Sequence, residues 1–380
     1  MRIEKVQVLM SDGVFRNASV EFEETIQKVE VSEIADADVN LYLIPGLVDV
    51  HTHGACGGDF SLDSAEKMQE MALYYAENGV TSFLATTLTA GEEALSNAMR
   101  NIAQYKRPPK GARCMGINME GPFFSYGKRG AHQAELLKLP DISMFERLYK
   151  LSGERIKLVC VSPELDGAME FIKNVSQFCR VSLAHSETDY KTAMQGFDNG
   201  ATHVTHLFNG MSPFSHREPG LVGAALDANA FVELICDGYH LHPSVVRAIY
   251  KLFSRPCLIS DSLGCTGLPD GEYESAGLPI VVEEGRAILR DGNSLAGSTI
   301  SLMQGVRIAV SMGIPLAQAV TSASANCAQA IGMEVKIGTI SPKAYADMVI
   351  LDSKLQVKKV YIGGKEVFMS AGQQVIQSGT

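Results

Sequence analysis

Eight short apolar runs alternate with helical patterns through the middle of this chain. The runs cover residues 47–51, 80–86, 114–119, 156–161, 181–185, 202–206, 231–236 and 257–260. Helical patterns fill many of the gaps, at 63–78, 92–104, 141–151, 166–178, 189–199, 243–253 and 315–331. The first of these places Ala65, Met68, Met71, Ala72, Tyr75 and Ala76 at helical spacing and stops at Gly79. Strands that are apolar along their whole length are buried on both faces, and strands separated by helices run parallel. Eight such units predict a (β/α)8 TIM barrel. An open doubly wound sheet is the alternative. No GxGxxG follows the first strand, which weighs against its dinucleotide-binding version.

The two ends of the chain have a different texture. Residues 6–10, 18–23 and 41–44 read as strands, with Asp12-Gly13 as a tight turn. Residues 346–351, 357–362 and 365–369 read likewise, the last two joined by Gly363-Gly364 as a hairpin. Residues 1–44 and 336–380 are therefore expected to form one small β-sandwich domain, with 45–335 as the barrel domain. The total of 380 residues suffices for both, and 46% apolar with 20% charged is ordinary globular composition.

Composition also excludes partners. The formal net charge of −10 disfavours nucleic acid and anionic membrane surfaces, while leaving room for a small anion if basic residues cluster locally. No stretch approaches the roughly 20 apolar residues of a membrane span. The first residues lack the apolar core of a secretory signal, so the expected location is cytoplasmic. Eight cysteines occur without a CxxC pair and read as reduced, buried, small apolar residues.

In a barrel, the C-terminal strand ends ring one mouth, where active sites lie. The polar residues fall there. Strand one ends at His51 and His53, whose i, i+2 spacing puts both side chains on one face. Strand three runs into Glu120, strand five into His185, strand six into His206 and strand eight into Asp261. Each alone has an ordinary reading: Glu120 as a turn cap, Asp261 as a helix cap, one histidine at the surface and another in the core. Five strands delivering such groups to one mouth point instead to a metal site. His203 reads as a buried structural residue on the face opposite His206, and His216 and His242 as loop residues.

Imidazole and carboxylate donors suit Zn²⁺ or Fe²⁺. Such an ion lowers the pKa of a water ligand to about 7. A neighbouring carboxylate can then take the water's proton and hand it to a leaving amine, and Asp261 is placed for that role.

At this point the residues resemble a known family. The segments are PGLVDVHTHGACGGDF (45–60), NMEGPFFSYGKRGAH (118–132), LAHSE (183–187), THLFNGMSPFSHREPGLVGAAL (205–226), ICDGYHLHP (235–243), SDSLGCTGLPDGEY (260–273) and LAGST (295–299). Together they resemble the amidohydrolase superfamily and, within it, the N-acetylglucosamine-6-phosphate deacetylase family, over essentially the whole chain. The resemblance implies hydrolysis of N-acetylglucosamine 6-phosphate to glucosamine 6-phosphate and acetate. It implies that Glu120, His185 and His206 ligate the main metal. His51 and His53 would serve a second, with Glu120 as a bridge. Members differ at this histidine pair and some hold one metal, so one or two ions per subunit are implied here. Asp261 would be general base and acid, and His132 would polarise the acetyl carbonyl. Sugar contacts would come from Ala131, Asn209, Gly210, His240, Leu295, Ala296 and Gly297. Arg217 would bind the phosphate, an arginine that in this family can act across a homodimer interface. Its ordinary reading is an ion pair with Glu218.

Two positions depart from the family pattern: Ser262 follows Asp261 where a small residue such as Ala is usual, and Gly210 follows Asn209 where Ala is common. Both are expected near the sugar, which brings in N-acetylgalactosamine 6-phosphate as an alternative substrate. A cyclic-amide hydrolase using a carboxylated lysine on strand four is disfavoured, because Lys157 lies at the wrong end of that strand. A non-catalytic sugar-phosphate-binding barrel is the remaining alternative.

Overall fold

The computed structural model describes residues 1–32, 40–290 and 294–370. Eight strands form its central sheet: Leu47–Thr52, Val80–Thr87, Arg113–Met119, Ile156–Val161, Arg180–Leu183, His203–Val204, Phe231–Ile235 and Pro256–Ile259. Each pairs in parallel with its neighbours in chain order. The eighth returns to the first, where the Asp261 backbone N–H donates to the His51 carbonyl at 2.9 Å. The Ser260 N–H meets the Asp49 carboxylate at 3.3 Å in the same seam. The barrel is thus nearly closed, and its closure lies between residues of the expected site.

The predicted strands five and six overran by two residues each. Strand five stops at Leu183 and strand six at Val204. His185 (φ 46°) and His206 (φ 29°) have left-handed backbone, as does Asp261 (φ 50°) just beyond strand eight. That conformation costs an L-residue of order 1 kcal/mol and ends a strand by turning its chain. Three of the site's polar residues sit at such positions.

Helices follow the strands. Ala65–Glu77, Glu92–Gln104, Ile142–Leu151, Ala168–Val175, Tyr190–Asp198 and Pro243–Leu252 occupy the expected segments. The helix expected at 315–331 is two, Leu316–Ser322 and Ala325–Ala330. Ser324 between them has non-helical backbone and turns its hydroxyl back to the Val320 carbonyl. Helices Gly220–Asp227 and Leu302–Ser311 were not anticipated. Nor was a three-stranded antiparallel sheet of Gly271–Ser275, Leu278–Glu283 and Arg286–Leu289, which follows the eighth strand.

The terminal strands join in one mixed sheet, in the order Lys365–Met369, Val357–Ile362, Met348–Leu351, Tyr42–Pro45, Arg2–Leu9, Phe15–Phe22 and Ile26–Val31. The sheet folds over on itself. Phe22 and Tyr361 come from strands far apart in that order, yet their rings meet at 5.5 Å. Val8, Val20, Leu43 and Met348 fill the space enclosed. Of the expected terminal segments, 33–39 and 371–380 lie outside the described residues. All eight cysteines are free, six of them buried. Among the described residues, no helix is long and apolar enough to cross a membrane.

Candidate metal centre and active site

The six residues singled out at the strand ends meet in two buried groups. In one, Nε2 of His51 and Nε2 of His53 lie 3.2 Å apart, and Oδ1 of Asp261 lies 3.4 Å and 3.1 Å from them. In the other, Nε2 of His185 and Nε2 of His206 lie 3.1 Å apart, and Oε1 of Glu120 lies 3.3 Å and 3.2 Å from them. Oε2 of Glu120 reaches the first group, 3.2 Å from His53 Nε2 and 3.5 Å from His51 Nε2. Glu120 therefore spans both.

The remaining ring nitrogens decide what the site can hold. Nδ1 of His53 faces the Thr86 carbonyl at 3.3 Å, Nδ1 of His185 the Lys128 carbonyl at 2.8 Å, and Nδ1 of His206 the Asn209 carbonyl at 3.1 Å. Nδ1 of His51 faces a carboxylate oxygen of Glu233 at 2.9 Å. All four partners only accept, so all four Nδ1 atoms carry hydrogen. In the neutral rings, every Nε2 then presents a bare lone pair to the centre. Two pairs of such lone pairs little more than 3 Å apart repel unless a cation lies between them. The donor set thus fits one divalent ion in each group, of the kind that accepts imidazole and carboxylate.

The charge balance agrees. Asp49, Glu120, Glu233 and Asp261 are all buried here, and no arginine or lysine of the described barrel residues is buried with them. Burial opposes a charged His51, but the Glu120 and Glu233 carboxylates outweigh it and raise its pKa well above the usual value. Burial likewise opposes a charged His53, yet Asp261 and Glu120 push it up to about 9. Burial opposes ionisation of Glu120 too, and the surrounding imidazoles still hold its carboxyl well below the ordinary range. The site attracts positive charge, as protons or as metal.

His132 stands beside this cluster with the opposite tautomer. Its Nδ1 accepts from the Thr89 backbone N–H at 3.3 Å, which leaves the hydrogen on Nε2, 3.9 Å from Glu120. Burial, helped by the neighbouring His185, drives its pKa well below the usual value, so the ring stays neutral. It offers the centre an N–H where the other four offer lone pairs.

A cavity of about 400 Å³ opens above the cluster. His53, Glu120, His132, His185, His206 and Asp261 line its floor. Ala131, Asn209, Gly210, His240, Leu295, Ala296 and Gly297 line it as well, and Asp237 fixes the ring of His240 at 2.7 Å. Arg217 is not brought there: it is exposed and outside the lining of the cavity. Lys128 lines it too. Ser262 is not near the sugar space. Its hydroxyl packs against Thr52 Oγ1 at 2.7 Å and donates to the Gly54 carbonyl at 2.9 Å, away from the cavity. Gly210 does line the cavity, but its missing Cβ would face inward to the site, 2.9 Å from Nδ1 of His185. His203 is buried with its ring stacked on Phe231 at 5.0 Å, His216 is exposed in a loop, and His242 caps the helix Pro243–Leu252.

Sequence reasoning missed Glu233 and Asp49. Both were legible as charges inside apolar runs, FVELIC and GLVDV, where a strand buried on both faces has no place for an unpartnered carboxylate.

A barrel with this donor set at its C-terminal mouth defines a metal-dependent hydrolase fold, and residues 42–367 match the amidohydrolase family. The chain belongs to that family. It is similar to N-acetylgalactosamine-6-phosphate deacetylase of Escherichia coli O157:H7, with 35% identity over 94% of each chain. It is similar to N-acetylglucosamine-6-phosphate deacetylase of Bacillus subtilis, with 34% identity over 95% of this chain and 92% of the other. A mutant of the N-acetyl-D-glucosamine-6-phosphate deacetylase of Mycobacterium smegmatis, solved in complex with N-acetyl-D-glucosamine-6-phosphate, superposes with a TM-score of 0.88. It shares 31% identity, over 95% of this chain and 97% of the other.

Proposed function

We propose that the chain hydrolyses N-acetylglucosamine 6-phosphate to glucosamine 6-phosphate and acetate. The carrying observation is the pairing of inward-facing Nε2 lone pairs with Glu120 and Asp261, beside a neutral N–H donor, at the floor of a sugar-sized cavity. The similarity to deacetylases of N-acetylhexosamine phosphates supplies the substrate class.

Glu120, His185 and His206 would hold the main Zn²⁺ or Fe²⁺, and His51 and His53 a second, with Glu120 between them. When bound, such a cation supplies Lewis acidity, which makes water nucleophilic at neutral pH. Asp261 takes the proton of the attacking water and delivers it to the amine nitrogen as the C–N bond breaks. Burial opposes its ionisation, but its place against His53 and His51 outweighs this and lowers its pKa, so it stays ionised and ready to accept. His132 donates its Nε2–H to the acetyl oxygen, where negative charge develops. Ala131, Asn209, Gly210, His240 and the 295–297 segment hold the sugar. The phosphate would be met by Arg217 of a partner subunit in a homodimer, because within one chain this arginine stands outside the cavity.

The galacto epimer is the second reading, favoured by the Escherichia coli relative. The test is acetate release from each N-acetylhexosamine 6-phosphate, with and without a chelator. The expected result is chelator-sensitive turnover, faster with the gluco sugar. Faster turnover of the galacto sugar would replace the first substrate by the second. Binding of both sugars without acetate would overturn the enzyme reading in favour of a sugar-phosphate-binding barrel.

A further inference from the structure

Of the four inward-facing histidines, three are held by neutral backbone carbonyls. His51 alone is backed by a carboxylate, Oε2 of Glu233 at 2.9 Å. Glu233 comes from the seventh strand, in the barrel interior, and is fully buried. Its strand neighbours on the same face, Phe231 and Ile235, pack with Val48, Val50, Leu84 and Leu158. The same Oε2 faces the backbone N–H of His206 at 3.4 Å, and Oε1 has no hydrogen-bond partner among the described residues.

A buried carboxylate with one unpartnered oxygen is costly. Capping one N–H at 3.4 Å does not account for it, since an amide would do that without burying a charge. A carboxylate on Nδ1 does something a carbonyl does less well. It holds the hydrogen on Nδ1, fixes the ring's orientation and makes Nε2 a stronger donor to a metal. Strengthening His51 alone strengthens the His51–His53–Asp261 group and leaves Glu120–His185–His206 unchanged.

We propose that Glu233 is a positioning residue that acts through His51 to set the affinity of the second cation position. The inference rests on the two-position reading above. It explains why the pair of groups is backed unequally: the main position is built from loop carbonyls, while the second depends on one interior charge.

The experiment counts zinc by emission spectrometry and measures its affinities by competition with a chelating dye, using Zn²⁺ alone as the probe. The wild-type chain is expected to hold two zinc ions. Glu233→Leu should keep one, with the second weakened by about 10- to 100-fold. Glu233→Gln, which keeps an oxygen acceptor but no charge, should fall between. In a His51→Ala background, Glu233→Leu should weaken zinc no further. If the leucine variant does not fold, the near-isosteric glutamine variant carries the test. An unchanged second zinc in Glu233→Gln and Glu233→Leu overturns the proposal. So does loss of both ions together, which marks a merely structural role, and so does a wild-type chain that holds only one. The counts do not depend on turnover. A zinc-filled wild type that releases no acetate would sink the proposed activity while leaving the Glu233 result readable.

Discussion

The two cation groups use the same side chains and are built differently. Glu120, His185 and His206 belong to residues just past their strands, two of them in left-handed backbone, and their rings are steadied by the carbonyls of Lys128 and Asn209. In the other group Asp261 also has left-handed backbone, but His51 and His53 stand at the end of the first strand, whose pairing register shifts between Asp49 and Thr52, and His51 is steadied by a carboxylate from inside the barrel. Both groups reach the cavity, the first through Glu120, His185 and His206 and the second through His53 and Asp261. His51 alone is withdrawn into the interior, outside the cavity lining. What separates the two groups is therefore their backing, loop carbonyls behind one and an interior carboxylate behind His51 in the other, and His132, with the reverse tautomer, belongs to neither.

The largest test of this contrast removes a ligand from each group. His206→Ala should abolish acetate release and lose the main ion, whereas His53→Ala should lose the second ion and keep measurable turnover. Metal analysis beside the acetate assay reads both. Equal loss in the two variants would erase the distinction drawn here.

Next comes the proton carrier. Asp261→Asn should lower kcat by about 10²- to 10⁴-fold, the usual worth of a positioned acid–base group, while the ion at Glu120 is retained. Near-normal kcat with metal in place would remove Asp261 from the proton path. His132→Ala should follow with a loss of about 10²-fold in kcat, typical of one oxyanion donor, and no change in metal content. A drop in metal content instead would make His132 a support of the ligands.

Gly210 sharpens the contrast on a smaller scale. Its φ is +59°, and a Cβ would stand 2.9 Å from Nδ1 of His185 and 3.3 Å from the Lys128 carbonyl, where those two atoms hydrogen-bond. Gly210→Ala should therefore weaken the main ion by about tenfold, a cost near 1.4 kcal/mol. It should leave the second ion alone. A changed sugar preference with unchanged metal affinity would return Gly210 to the role in substrate choice that its sequence first suggested.

How much of this was legible before the structure follows from where the information sits. The barrel was readable because its strands are apolar runs separated by helices, a local pattern. The ligands were readable because histidine and glutamate at the ends of such runs stand out against them. What orients the ligands was readable only as an anomaly, a charge at Glu233 inside an apolar run, and not as a partner of His51. Glu233 lies 182 residues from His51, and only the closing of the barrel brings them together. The left-handed turns at His185 and His206 were hidden for another reason: neither is a glycine, so no residue type announced them. The three-stranded sheet after strand eight was missed because its strands are short and partly exposed, with little periodic signal. Ser262 was misplaced because one residue of register decides which side of a turn a side chain takes.

The smallest effect separates His203 from His206, three residues apart on one segment. His206 faces the carboxylates, which raise its pKa against the opposing effect of burial. His203 faces Phe231 instead, and burial, helped by Arg180 and Arg255, drives its pKa down to about 3. The unfolded chain takes up a proton on this ring near pH 6.5. The folded chain does so only near 3. Between those values the unfolded state binds more protons, so His203 contributes nothing to acid stability and removes it as pH falls. The slope is at most about 1.4 kcal/mol per pH unit. His203→Gln removes that proton while losing the ring contact. Its stability at pH 7 should be lower than wild type, and its urea midpoint should fall less steeply between pH 6 and 4. Parallel midpoint curves for the two proteins would mean that His203 titrates alike in both states, and that the burial which silences it does not carry the contrast with His206.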